Sequence, residues 1–309
     1  MILLDQVVDR SPHYQGLSAD HPQWTGPGKA PWRMTIWARM LAFIVIAGVA
    51  LSLIISVMVA LRGDVSLPSW QMSLAQLIAI VLAYLLVVMA MEGRLDPLEV
   101  QPRRLIGLIA GCLVGLVALS LAVGVIAAAG GYHINGWNSQ AAVWPTIWSA
   151  GVVAAITEEL IMRGMLLRLL EEWLGSWAAL AISALIFGAL HLNNRDATLA
   201  GAIAIAVEAG LLFAAVYLLS RSLWCCIGLH AAWNIAEGPL FGSAISGTGR
   251  PPSLFEATWS GPDWLTGGAF GLEASAPAVL VCTGLAAALL ILAAGRHRLV
   301  APIWRRQRG

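Results

Sequence analysis

The sequence predicts an all-α, polytopic membrane protein built as a bundle of about eight transmembrane helices. Three observations carry that prediction. Of the 309 residues, 59% are hydrophobic and 11% charged, against roughly 25% charged in a soluble domain. The apolar residues gather into runs of about 20, the length that crosses a hydrocarbon core. The Lys and Arg residues sort to one side of those runs, as the positive-inside rule requires.

Residues 1–33 are polar, with Asp5, Asp9 and Asp20, and lack the basic start and apolar core of a signal peptide. They predict a cytoplasmic N-terminal tail over 1–37 with a short amphipathic turn at Ile2–Val8. A membrane domain over 38–295 follows, with spans at 38–61, 72–91, 105–128, 144–167, 177–192, 199–219, 223–241 and 276–295. These runs are too long for core strands, and turn or charged residues such as Arg62-Gly63-Asp64 and Asp96-Pro97 separate them. Spans four to seven are less purely apolar and are joined by short loops, which implies antiparallel neighbours. The connection 242–275, rich in Gly, Pro, Ser and Trp, is too polar and too broken to span. It reads as a cap over the bundle or as a disordered loop. Residues 296–309 read as a basic cytoplasmic tail.

With eight spans both termini share a side. Of the 18 Lys and Arg residues, Arg62, Arg195 and Arg250 fall on one side and the other 15 on the side of the termini. That split supports the span count and puts both termini in the cytoplasm, with a bacterial inner membrane as the expected location. Trp70, Trp144, Trp177 and Trp224 sit at span edges, where an indole N–H can meet water. The net charge of +1 offers nothing to a nucleic acid. The four cysteines, Cys112, Cys225, Cys226 and Cys282, lie in apolar runs without a CxxC pair and read as small core residues.

Charge at the centre of a membrane helix costs at least ~2.5–3.5 kcal/mol per residue, and most spans carry none there. The exceptions cluster in spans four to seven. In span four, Glu158 and Glu159 point about 100° apart on a helix, and Glu159 and Arg163 share a face and can pair. Glu158 is left without a local partner. In span five, Phe187 and His191 share a face, and Gly188 lets a neighbouring helix come close. In span seven, His230 and Asn234 share a face in mid-span. Span six carries Glu208, which either packs in protonated form or lines the same cavity.

One carboxylate, two imidazoles, one carboxamide and an Arg–Glu pair suit hydrolysis by an activated water. Glu158 offers a general base or acid, a nearby histidine can share the water's proton, and His and Asn can donate to a developing oxyanion. The same atoms could instead ligate zinc through Glu158, His191 and His230, with an open position for water; the residues alone leave both routes open. Other hydrolase patterns are missing: the chain has no HExxH, no GxSxG before a helix, and no Asp within any span.

The ordered trio Glu158-Glu159-x-x-x-Arg163, Phe187-x-x-x-His191 and His230-x-x-x-Asn234 resembles the CPBP family, the CaaX-protease and bacteriocin-processing or ABI-type intramembrane proteases. The resemblance covers a protease core at 144–241. It implies peptide-bond hydrolysis in a membrane cavity, with a membrane-associated peptide or protein as substrate and the lipid bilayer as surroundings. It implies that Glu158 activates water with help from His191, that Glu159 and Arg163 support, and that His230 and Asn234 stabilise the oxyanion. Both metalloprotease and metal-free glutamate mechanisms are proposed for the family. The main rival function is a non-catalytic scaffold or immunity-type binding protein that keeps the pocket. A further rival is a small transporter using Glu208 and the histidines as a proton relay.

The expected cavity opens toward the cytoplasm. Helix rise places Glu158 and His230 ~9–10 Å above the inner edge but His191 ~21 Å above it. Convergence of the three motifs therefore predicts a tilted or displaced span five.

Overall fold

The computed structural model describes residues 35–306. The turn at Ile2–Val8, nearly all of the predicted tail 1–37, and the last residues of the basic tail lie outside the described residues. The fold is helical. Among the described residues six helices are long and apolar enough to cross a membrane: Ile36–Arg62, Ser69–Met91, Pro102–Ala128, Trp144–Asn193, Leu199–Ser220 and Ala276–Gly295. The predicted count of eight is therefore not reached by length and apolarity. Two of the expected spans are joined in the single run Trp144–Asn193, and 223–240 is a helix diluted by His230, Asn234 and Glu237.

The helices are labelled α1 (Ile36–Arg62), α2 (Ser69–Met91), α3 (Ile106–Ala128), α4 (144–174), α5 (176–193), α6 (Leu199–Ser220), α7 (223–240) and α8 (Ala276–Gly295). Gly175 divides α4 from α5 with φ 77° and ψ 171°, a backbone region that is essentially glycine-only. A side chain there would also meet the Val300 carbonyl oxygen at 2.7 Å. Thr35 caps α1 by accepting from the Ala38 N–H at 3.3 Å.

Where the sequence predicted no strand, the structure has a small antiparallel pair, β1 (Tyr132–Trp137) with β2 (Phe255–Trp259). β2 belongs to the 242–275 connection, so this segment folds back over the bundle. Asn194 Nδ2 donates to the Ser246 carbonyl at 2.6 Å and the Asp196 N–H to the Gly247 carbonyl at 2.8 Å, tying it to the α5–α6 turn.

Helix α7 is the axis of the bundle and packs most closely on α3. Gly107, Gly111 and Gly115 form a stripe on α3, and a methyl on Gly111 would stand 2.0 Å from the Cys225 carbonyl oxygen. Gly228 of α7 answers from the other side, its added carbon 2.1 Å from the Leu108 oxygen. Small residues let two backbones meet where no water is expelled to drive association. The contact fixes α7 in height and rotation, and with it His230.

The end of the bundle that carries the chain's described ends is held by buried ion pairs. Arg39 of α1 bonds Glu92 at 3.0 Å and also pairs with Glu172 of α4. Arg168 grips Glu92 through two bonds of 2.9 Å. Arg94 donates to Glu99 at 2.9 and 2.5 Å, and Tyr84 donates to Glu99 at 2.9 Å. Arg221, at the α6–α7 turn, pairs with Glu171 and donates to the Arg298 carbonyl at 2.7 Å. All these charges are buried. A buried pair offsets its own desolvation only when the geometry is good and each oxygen is used, and here most carboxylates serve two donors. The loops 129–143, 194–198 and 242–275 gather at the opposite end.

Candidate active site

The α4–α5 hairpin brings the first two motifs together. Glu158 lies ~25 Å before the Gly175 kink and His191 ~24 Å after it at 1.5 Å per residue, so the two arms carry them to one level. The mismatch expected from the sequence arose from ending span four at 167; α4 continues to 174. Gly188 then seats α5 on α6, an added carbon there standing 2.3 Å from the Ala202 oxygen.

Local winding is uneven around the carboxylates. Ile147–Ala154 and Leu160–Leu167 are π-helical, with the α-helical turn Ala155–Glu159 between them. Such bulges re-aim side chains and recur at functional sites.

Glu159 is completely buried. Its Oε1 accepts from Arg163 Nη1 at 2.9 Å and lies 2.9 Å from His230 Nδ1. A carboxylate only accepts, so the His230 proton toward it sits on Nδ1 and Nε2 is turned the other way. That Nε2 stands 3.9 Å from Glu158 Oε2. Arg163 is locked in turn: Nη2 donates to the Ala209 and Gly210 carbonyls at 3.2 and 3.3 Å, and the guanidinium lies 5.0 Å over the Phe187 ring and 5.1 Å over Phe213. The side count that placed Arg163 among cytoplasmic cations misplaces it; it is buried behind the site.

His191 Nδ1 stands 2.7 Å from the Phe187 carbonyl, which as an acceptor fixes the proton there and leaves Nε2 as the open nitrogen. Asn234 donates one amide N–H to the Ala150 carbonyl at 2.9 Å. Glu158, His191, His230 and Asn234 all line one cavity of about 280 Å³, completed by apolar walls from Phe187 and Phe213. Glu159 and Arg163 stand directly behind it.

Three features were not read from the sequence. Glu273 lines the same cavity, and its carboxylate accepts from Ser246 Oγ at 2.6 Å. Burial pushes the Glu273 carboxyl above the usual carboxylate range, opposed by the Ser246 hydrogen bond and by His191 and His230. Ser246 lines the cavity as well. Phe213, packed 5.1 Å from the His230 ring, forms a wall. Glu273 and Ser246 come from the 242–275 connection, and a single Glu in a Gly-rich loop carries no local mark. Glu208, by contrast, is buried outside the cavity lining.

The zinc set of Glu158, His191 and His230 does not fit. Among the described residues no group of three or more His, Cys, Asp or Glu side chains is arranged to hold a metal ion.

Residues 140–236 match the family model described as type II CAAX prenyl endopeptidase Rce1-like. That model is one of the CPBP family. The matched segment runs from just before α4 into α7 and contains every motif residue named above; β2, Ser246 and Glu273 lie beyond it. Comparison with curated proteins and with solved structures finds no match. The CPBP match implies a protease with a membrane-associated protein substrate, and with six spanning-length helices it points to an integral membrane protein.

Proposed function

We propose that this protein is an intramembrane endopeptidase that hydrolyses a peptide bond in a membrane-associated protein or peptide with a glutamate-activated water. One observation carries this reading: Glu158, His191, His230 and Asn234 share one cavity, while Glu159 and Arg163 orient His230 from behind.

Glu158 takes a proton from water, and the water oxygen attacks the scissile carbonyl carbon. His191 Nε2 accepts from the same water and holds it in line. The carbonyl electrons move to oxygen. The second amide N–H of Asn234, and His230 when protonated on Nε2, donate to that oxyanion. Collapse of the intermediate breaks the C–N bond, and Glu158 returns its proton to the leaving amine. The apolar walls exclude bulk water, which strengthens each of these interactions.

The test is cleavage of membrane peptides by the purified protein, with Glu158→Gln and His230→Ala as controls. The expected result is cleavage that both substitutions abolish and that survives exhaustive chelation. Equal cleavage by both variants overturns the assignment, and absence of cleavage across a broad peptide set favours a binding role.

A further inference from the structure

We infer that the cavity takes its substrate from the extracytoplasmic side of the membrane, so that the substrate is a polypeptide segment exposed on or anchored at that face. The word substrate rests on the hydrolytic reading above; the sidedness does not.

The cavity reaches one end of the bundle. His191 is followed by only two residues of α5 and preceded by fifteen. Ile205, in the cavity wall, is six residues from the start of α6 and fifteen from its end. Asn234 is six residues from the end of α7 and eleven from its start. On these three helices the named residues are ~3–9 Å from one end and ~17–23 Å from the other, while Glu158 and His230 sit deeper, ~21 and ~15 Å from that near end. The near end is the one that carries 194–198 and 242–275, and Asn194, Ser246, Thr248 and Glu273 of those segments line the cavity. The far end is the one sealed by the buried Arg–Glu network, with Val300 bonded to Ser176 beside the α4–α5 kink.

The way in is on the same side. The first half of α4 packs on α7 and α2, whereas α5 packs on α6, so the two arms part as they leave Gly175. The lining residues Leu190 of α5 and Thr248 of the loop are exposed, and the Glu158 side chain is 35% exposed.

Charge says which face of the membrane this is. Among the described residues, with Arg163 set aside because it stands beside the cavity, 10 Arg lie toward the termini end against Arg62, Arg195 and Arg250 at the cavity end. Short basic loops stay in the cytoplasm. The cavity end is therefore the extracytoplasmic one, opposite to the opening expected from the sequence. A segment tethered at the cytoplasmic face would have to cross the sealed end to reach Glu158.

The test labels single cysteines with a membrane-impermeant maleimide in sealed right-side-out vesicles, before and after permeabilisation. Of the native cysteines three are buried and Cys112 is half-buried, so Cys112→Ser supplies the background. Thr248→Cys marks the cavity mouth, Arg250→Cys repeats it should Thr248→Cys fold poorly, and Arg305→Cys marks the other end. The expected result is labelling at 248 or 250 without permeabilisation and at 305 only after it; the reverse pattern overturns the inference. A quenched fluorescent peptide that the purified protein cuts is then supplied outside the sealed vesicles. Cleavage there supports the inference; cleavage only after permeabilisation overturns the sidedness and leaves the hydrolase reading standing. A purified protein that cuts nothing, with the expected labelling, overturns the hydrolase reading and leaves the sidedness.

Discussion

His230 Nδ1 and Glu159 Oε1 stand 2.9 Å apart, and Arg163 donates to that same oxygen from a distance of 2.9 Å. The second carboxylate of the Glu-Glu pair is thereby consumed in orientation. It sets which nitrogen of His230 faces the cavity, and it leaves Glu158 as the carboxylate open to a water. Glu159→Gln is expected to lower kcat by ~10²-fold with little change in KM, because a positioning partner is lost and substrate walls are intact. Steady-state kinetics over a pH series checks this. A changed KM at constant kcat would contradict it.

Glu273 reaches the cavity from outside the family-matched segment. Glu273→Gln keeps the shape and the Ser246 contact but removes a carboxyl facing both histidines. The expected outcome is a displaced pH profile of kcat/KM with an unchanged melting temperature. An identical profile would make Glu273 a structural cap residue.

Among the described residues none that lines the cavity is Lys or Arg. A bound free C-terminal carboxylate would lack the cation that such a group ordinarily finds, an interaction worth ~1.5–3 kcal/mol. Internal bonds are thus the expected targets, and amidating a peptide's C-terminus should change kcat/KM by less than ~3-fold. A loss of ~10-fold or more on amidation, on the scale of that interaction, would refute this.

Glu99 titrates with the ion-pair network. Burial pushes its carboxyl up, but the Arg94 and Arg168 guanidiniums overcome this and hold it down at about 2. Its folded value lies below its unfolded one, so its stabilisation is present above pH ~4.5 and is lost as pH falls toward ~2. The contribution is on the order of 3 kcal/mol. Thermal unfolding in detergent between pH 2 and 6 should show this slope, and Glu99→Gln should flatten it.

Gly111→Ala drives a methyl to 2.0 Å from the Cys225 oxygen. Backbones must part, at a cost of ~1–3 kcal/mol, and His230 moves with α7. Both a lower melting temperature and weaker cleavage are expected. Gly124→Ala, on the same helix with open space around it, is the control that should change neither.

The helical class, the spacing of the polar trio and the Glu159–Arg163 pairing are local properties, set by periods of 3.6 residues and by the expense of charge in lipid. They were legible in the residues, as was the family resemblance they carry. Heights along the bundle were not legible, since they depend on where α4 ends and on the kink that only Gly175's backbone reveals. The cation count missed that Arg39, Arg94, Arg168 and Arg221 are buried in pairs, three of them with partners distant in sequence. By itself the sequence determined that this chain is a helical membrane protein with one polar cluster. Only the tertiary structure decided that Glu273 joins the cluster and at which end of the bundle the cavity lies, since both depend on how helices are offset against one another.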